Sequence, residues 1–337
     1  MKKIVVTGGL GFIGSHTVVE LQNAGYKVII IDNLSNSTIE VLDRIISITG
    51  IQPIYENFDL KNQSAIQQFF KTHTAIDGII HFAASKAVGE SVEKPLKYYH
   101  NNISTLIYLL EEMNANNVSN FIFSSSCTVY GQADSMPITE SAPFKPAESP
   151  YGNTKKIGEE IISETTKASH LKAIALRYFN PIGAHYSSKI GELPIGIPQN
   201  LIPYVTQTGM GIREELSVFG GDYPTPDGTA VRDYIHVVDL AKAHTVALNR
   251  LIENNNLSNF EVFNIGTGKG SSVLDVIKAF EKISGKLLNY KIIGRREGDI
   301  VEAYADTSLA NTELKWKAEY NLEEALASAW KWQQTLK

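Results

Sequence analysis

Short runs of Ile and Val alternate, through the first half of the chain, with longer segments whose apolar residues recur every three to four positions. Ile4–Thr7, Lys27–Ile31, Gln52–Tyr55, Gly78–Phe82, Asn120–Ser124 and Leu171–Arg177 predict strands. Between them, Ile13–Ala24, Ile39–Ile48, Ser64–Lys71, Pro95–Met113 and Lys155–Lys167 predict helices. Strands rich in Ile and Val, each followed by a helix, imply a parallel sheet covered on both faces. Right-handed crossovers then make the fold α/β, a doubly wound parallel sheet of Rossmann type.

The pattern changes after Phe179. Residues 180–229 carry Pro181, Pro194, Pro198, Pro203, Pro224 and Pro226 and read as long loops, a texture that favours function over mere connection. A helix over Val238–Leu251 and a strand over Glu261–Ile265 return to the sheet layer. Helices near Ser272–Ser284 and Leu322–Trp332 complete a smaller, interleaved C-terminal α/β domain. The expected division is residues 1–179 with 231–265 in one domain, and 180–230 with 266–337 in the other.

Composition narrows the function. With 337 residues, 43% of them hydrophobic and 20% charged, the chain can bury a substantial core and is not disordered. Its net charge of −5, without a long basic tract, argues against a nucleic-acid partner. No apolar run is long enough to cross a bilayer, and Met1-Lys2-Lys3 leads straight into a strand rather than a signal peptide. The single cysteine, Cys127, excludes an internal disulfide framework. A cytoplasmic protein is expected, with neither membrane nor nucleic acid as partner. His236, Asp239 and His244 form the nearest approach to a metal cluster, but their spacing matches no zinc site, so no metal is expected.

Candidate chemistry begins at Thr7-Gly8-Gly9-Leu10-Gly11-Phe12-Ile13-Gly14, between a predicted strand and a predicted helix. Gly8 and Gly11 permit a tight turn and close approach of backbone to a pyrophosphate. Gly14 lets the helix pack on the strand, and the helix N-terminus offers unsatisfied N–H groups and partial positive charge. Asp32 ends the second strand, where a carboxylate can hold ribose hydroxyls. The following Asn33-Leu34-Ser35-Asn36-Ser37 offers no cation for a 2′-phosphate, so NAD is favoured over NADP. Further along, Tyr151 and Lys155 stand four apart at the start of a helix, hence on one face. A phenol needs its pKa lowered by about 3 units to act as a base near neutrality, and a neighbouring ammonium works in that direction. Ser124-Ser125-Ser126-Cys127-Thr128-Val129-Tyr130-Gly131 follows a strand at the carboxyl edge of the sheet.

Glycine loop, serine segment and YxxxK, in that order, resemble the extended short-chain dehydrogenase/reductase family. His81-Phe82-Ala83-Ala84, Lys86–Ser91, Arg177-Tyr178-Phe179-Asn180-Pro181, Arg232-Asp233-Tyr234-Ile235-His236 and Arg295–Asp299 are similar to segments of its UDP-hexose 4-epimerases. The resemblance implies a catalytic serine at Ser126, a base at Tyr151 and its partner at Lys155. It further implies NAD contacts from Phe12, Ile13, Asp32, Asn33, Asp59, Leu60, Phe82, Lys86, Asn101, Ser126, Tyr151, Lys155 and Phe179. A UDP-sugar would be held by Asn180, Asn200, Phe219, Arg232, Arg296 and Asp299, and would also meet Ser126 and Tyr151. Ala303 stands where the family has either tyrosine or a small residue, and a small residue implies room for an N-acetyl group. A homodimer through Pro95–Met113 and Lys155–Lys167 is implied as well. Two rivals stay open: a sugar-nucleotide 4,6-dehydratase, whose Asp-Glu pair is replaced here by Cys127-Thr128, and a catalytically silent NAD-binding regulator.

Overall fold

The structure is a computed structural model that describes residues 1–296 and 298–336. Glu297, within the Arg295–Asp299 block, lies outside the described residues. The chain opens with β1 (Lys3–Thr7), α1 (Phe12–Asn23), β2 (Lys27–Ile31), α2 (Glu40–Thr49), β3 (Ile54–Glu56) and α3 (Gln63–Thr72). It continues with β4 (Gly78–His81), α4 (Val88–Glu93), α5 (Pro95–Ala115), β5 (Asn120–Ser124), a 3₁₀ turn at Cys127–Tyr130, α6 (Pro150–Ala168) and β6 (Lys172–Tyr178). Next come β7 (Asn180–Ile182), α7 (Leu201–Gly209), β8 (Leu216–Phe219), β9 (Val231–Arg232), β10 (Tyr234–His236), α8 (Val237–Ile252) and β11 (Phe260–Ile265). The chain ends with β12 (Ser271–Ser272), α9 (Val273–Ser284), β13 (Tyr290–Ile293), β14 (Glu302–Ala303) and α10 (Leu322–Thr335).

Seven strands form one sheet in the order β11-β6-β5-β4-β1-β2-β3. Neighbouring strands run parallel, as in the registers Val5↔Ile29, Val5↔Ile79 and Ile122↔Ile174. Strand β11 continues the sense, since Ala173 N–H donates to Asn259 O and Phe179 N–H to Ile265 O. The order reverses between β1 and β4, which creates the switch point at which such sheets bind ligands.

The chain forms two compact units. The first comprises residues 1–131, 144–177 and 241–263; the second comprises 132–143, 178–240 and 264–337. In the first, Val5, Ile29, Ile79 and Phe121 of the sheet are buried with Phe69 and Phe70 of α3 and Leu106, Leu109 and Met113 of α5. The second has its own core, in which Val205 of α7, Val218 of β8, Val276 and Phe280 of α9, and Leu326 and Trp330 of α10 are buried together. There β13 pairs in parallel with β8, and β14 lies beside β9 with Ala303 opposite Arg232.

The stretch read as loop from residue 180 to 229 contains β7, α7 and β8. Pro203 falls in the first turn of α7, where its missing N–H has no intrahelical partner to lose, so the proline does not exclude the helix. Strand β8 finds its partner far along the chain, with Leu216 opposite Tyr290.

One charged pair lies deep in the first unit. Glu159 of α6 and Arg177 of β6 are 2% and 4% exposed. Arg177 Nε and Nη2 reach the Glu159 carboxylate at 2.9 and 2.5 Å, and its Nη1 donates to the Tyr130 hydroxyl at 2.9 Å. Removing one partner of such a pair strands the other charge. Arg177→Met is therefore expected to lower unfolding free energy by about 3–5 kcal/mol, and an added Glu159→Gln to recover part of it, as measured by urea denaturation.

Candidate active site

The glycine loop leaves β1 at Thr7. Gly8 takes a left-handed φ of +68°, and a side chain there would place Cβ 2.9 Å from Ala83 N. A Cβ on Gly14 would lie 2.1 Å from Gly8 O, so α1 can start this close to β1 only with glycine. Gly11 caps α1 without a side-chain hydrogen bond, which leaves the first-turn N–H groups available to an anion. Asp32, at the end of β2, braces this loop. Its carboxylate accepts from Leu10 N–H at 3.0 Å, Leu34 N–H at 2.9 Å and Ser37 Oγ at 2.8 Å. A carboxylate has about four acceptor positions, so capacity for a ribose hydroxyl remains. Asn33 donates to Asp59 at 3.1 Å. Burial works against the Asp59 charge, but the Lys61 N–H, the Asn33 amide and the Lys61 ammonium together hold its carboxyl below the usual range.

At the switch point, Thr7 Oγ1 and His81 Nδ1 lie 2.8 Å apart across β1 and β4. Burial first, and the Lys155 charge second, push the His81 imidazole down to about 3. It therefore stays neutral and adds no charge of its own beside Lys155. Phe82, half-buried, sits with its ring 4.6 Å from His244. Lys86 is exposed, Leu60 is buried and Asn101 is half-buried on α5. Phe12 and Ile13 open α1, the Phe12 ring meeting His16 edge-on at 5.5 Å.

Beyond β5 the backbone turns through Ser126, whose Oγ accepts from Thr128 N–H at 3.2 Å and so begins the 3₁₀ turn. Helix α6 starts nearby. Ser149 caps it by accepting from Gly152 N–H at 3.2 Å, and Pro150 occupies the first turn. Gly152 is small because Thr128 lies against it: a Cβ would stand 3.1 Å from Thr128 O. Tyr151 and Lys155 then fall on the buried face, 8% and 4% exposed. Lys155 Nζ donates to Ser124 O at 2.6 Å and lies 5.8 Å from the centre of the Tyr151 ring. Burial lowers the Lys155 pKa to about 8, partly opposed by the Glu159 charge. Serine, tyrosine and lysine are thus carried by one strand end and one helix start.

Sequence patterns did not single out the groups that hold this arrangement. Asn102 is buried, accepts from Ser85 N–H at 2.8 Å, and donates to Ser85 O and Thr154 Oγ1, each at 3.0 Å. Thr154 Oγ1 donates in turn to Tyr151 O at 2.7 Å. A signal existed on α5, where Asn102 interrupts the buried stripe Tyr98–Leu106–Leu109. A polar residue inside an apolar stripe asks for a partner.

The second unit holds the other predicted residues. Arg232 on β9 donates through Nη1 to Val231 O at 2.8 Å and through Nη2 to Ile300 O at 2.9 Å, and lies 3.9 Å from Asp299. Arg296 grips the same Asp299 carboxylate at 2.8 and 3.2 Å, and its guanidinium stands 5.4 Å over the Phe219 ring. Four of the predicted residues therefore form one cluster of two cations, a carboxylate and an exposed aromatic face. Ala303 is buried beside Arg232. Asn180 N–H donates to Asp233 O, buried Phe179 donates to Ile265 O, and the Asn200 amide goes to Glu192 at 2.6 Å.

His236 and Asp239 are used internally: His236 accepts from Val238 N–H, and Asp239 from the Glu319 and Tyr320 N–H groups. Among the described residues, no group of three His, Cys, Asp or Glu side chains is placed to hold a metal ion. Nor is any described helix long and apolar enough to cross a membrane.

A glycine-cradled helix start beside a buried carboxylate at a strand end, with a serine after one strand and a tyrosine and lysine at one helix start, is the arrangement of a nucleotide-dependent oxidoreductive fold. The family model for the NAD dependent epimerase/dehydratase family matches residues 4–266, and the chain belongs to that family. It is similar to UDP-glucose 4-epimerase of Bacillus subtilis, with 51% identity over 331 residues, 98% of this chain and 96% of the relative. UDP-glucose 4-epimerase from Bifidobacterium longum in complex with NAD+ and UDP is similar in structure, with a TM-score of 0.95, 46% identity and 99% of each chain covered. The same enzyme from Stenotrophomonas maltophila, with bound NAD and formylated UDP-arabinopyranose, also gives 0.95, at 45% identity over 100% of this chain and 99% of that one.

The charge state of Lys155 has a measurable consequence. Its pKa is near 8 when folded and about 10.4 when unfolded, so below pH 8 the folded protein carries a buried-charge penalty that fades as pH rises toward about 10.4. Lys155→Met is expected to raise unfolding free energy at pH 7. That gain should shrink between about pH 8 and 10 in thermal or urea melts of the NAD-free protein.

Proposed function

We infer that this chain is an NAD-dependent UDP-hexose 4-epimerase, interconverting UDP-glucose and UDP-galactose through a transient 4-keto sugar. The observation that carries the reading is the buried Lys155 ammonium beside Tyr151, on a helix that starts against the strand end bearing Ser126. The full-length similarity to UDP-glucose 4-epimerases supports it.

The first unit is proposed to hold the dinucleotide. Gly8, Gly11, Phe12, Ile13 and Gly14 receive the pyrophosphate, and Asp32, Asn33, Asp59 and Leu60 the adenosine. Phe82, Lys86 and Asn101 complete the contacts of this unit, and Phe179, just beyond β6, is proposed as a further one. The fit rests on the Gly8 and Gly14 close approaches and on the acceptor capacity left at Asp32. When bound, NAD supplies the acceptor and then the donor of hydride at carbon 4.

Tyr151 takes the proton from the 4-hydroxyl and returns it after the sugar has presented its other face. The Lys155 ammonium favours the phenolate needed for that transfer. Ser126 Oγ accepts from Thr128 N–H, which orients the hydroxyl, and its O–H is proposed to donate to the same sugar oxygen. In the second unit, Arg232 and Arg296 suit a diphosphate, Phe219 offers a face for uracil, and Asn180, Asn200 and Asp299 offer polar contacts. Tight retention of UDP with loose retention of the sugar lets the ring turn without escaping.

Elimination, the dehydratase reaction, lacks its acid and base at Cys127 and Thr128. A silent regulator would have no use for a lysine whose burial is this costly. Tyr151→Phe is expected to reduce epimerisation of UDP-galactose by about 10²–10⁴-fold while the protein keeps its NAD, followed by chromatography of the two epimers and by cofactor absorbance. Activity within twofold of the parent would remove the proposed base.

Ala303, small and buried beside Arg232, supports a wider range that includes UDP-N-acetylglucosamine and UDP-N-acetylgalactosamine. Ala303→Tyr is expected to suppress conversion of the N-acetyl sugars by about 10-fold or more and to spare UDP-galactose, checked by kcat/KM on both pairs. We further propose a homodimer through α5 and α6, with α5 carrying exposed Leu96 and Ile107.

A further inference from the structure

Arg296 and Asp299 lie between β13 and β14, where the described residues form no helix or strand, with Asp299 N–H donating to Arg296 O at 3.2 Å. A long, irregular connection does not by itself fix the direction of two side chains. The loop after β8 is different. Gly220 and Gly228 both take left-handed φ values, +78° and +80°, and a Cβ on Gly228 would stand 2.3 Å from Gly221 O. Tyr223 N–H donates to Gly228 O at 3.0 Å, and Thr229 donates to the Asp227 carboxylate through both N–H and Oγ1. Asp227 also accepts from Ser272, the N-cap of α9. These bonds make residues 220–229 a closed turn pinned to a helix.

Arg295 joins the loose stretch to the pinned one. Its Nε donates to Asp222 Oδ1 and its Nη2 to the Asp222 carbonyl, each at 2.8 Å. The same guanidinium stacks 4.2 Å over the Tyr223 ring, which is 4% exposed. That ring is held in turn by Gly220, where a side chain would meet Cε2 at 2.2 Å. An exposed ion pair alone is worth little. Here one planar group makes a fork to two acceptors and a stack on a buried ring, so its orientation is specified in three ways. An ammonium cannot reproduce that combination.

We propose that Arg295 is a positioning residue for the sugar nucleotide: by clamping Asp222 and Tyr223 it fixes the stretch from which Arg296 and Asp299 engage the UDP moiety, without touching substrate itself. This rests on the epimerase reading above. The clamp acts on binding shared by ground and transition states, so its loss appears in KM rather than kcat.

The test uses the full chain loaded with NAD, comparing the parent with Arg295→Met, Arg295→Lys, Asp222→Ala, Arg296→Met and the Arg295→Met/Arg296→Met double variant. UDP-galactose kinetics and UDP calorimetry are the readouts. Arg295→Met is expected to raise KM and the UDP dissociation constant by about five- to tenfold, with kcat within about twofold. Arg295→Lys should recover less than half of that loss, and Asp222→Ala should reproduce it. If Arg295 works through Arg296, adding Arg295→Met to Arg296→Met should change KM by less than about twofold. An unchanged KM in Arg295→Met and Asp222→Ala, or penalties that multiply fully in the double variant, would overturn the clamp while leaving the epimerase reading intact. If the parent neither binds UDP nor epimerises, the parent reading fails and takes the clamp with it.

Discussion

The ammonium of Lys155 is kept where water scarcely reaches it, and the first unit is organised around making that tolerable. Its one short hydrogen bond goes to the carbonyl that ends β5, so the strand and helix α6 cannot drift apart without stranding a charge. Burial pushes the lysine toward deprotonation, and Glu159 one turn along α6 pushes back. Glu159 is itself occupied by Arg177 and Ser125, so the surrounding charges are balanced in pairs. His81, a further titratable group close by, is held neutral. What results is a single cation beside a single phenol, with few ways to rearrange.

That constraint explains why α6 begins as it does. The Ser149 cap, Pro150 and the absent side chain at Gly152 let the helix start directly against Thr128, which sets Tyr151 relative to Ser126. Asn102 and Thr154 then tie the Tyr151 backbone to the segment after β4. The second unit is built on another principle. Its proposed residues for a charged ligand come from a β-strand, a strand end and a connection between strands, gathered by arginine–carboxylate pairs rather than by a buried cation. The proposed chemistry demands rigidity of the first set. Retention of a diphosphate demands only that the arginines point the right way.

The parts legible in the sequence were those governed by local rules. Alternating strand and helix periodicities, glycines between β1 and α1, and the four-residue spacing of Tyr151 and Lys155 all read out within a short window. The illegible parts depend on partners far away. Strand β8 is stabilised by β13, some seventy residues on, and α7 tolerates Pro203 only because of where its first turn falls. Asn102, Glu159 and Arg177 look like ordinary polar residues until the fold brings their partners to them. Arg295 entered only as the first residue of the Arg295–Asp299 segment, and its union with Asp222 and Tyr223 needed three-dimensional contact to appear.

The central claim is that carbon 4 is inverted by removing and returning its own hydrogen as hydride, with Tyr151 handling only the hydroxyl proton. The most direct measurement is repeated turnover of UDP-galactose in heavy water, with carbon 4 of both epimers examined by NMR and mass spectrometry. The account predicts that carbon 4 keeps its original hydrogen after many turnovers. Deuterium accumulating at carbon 4 would mean that the hydrogen leaves as a proton, and would contradict it.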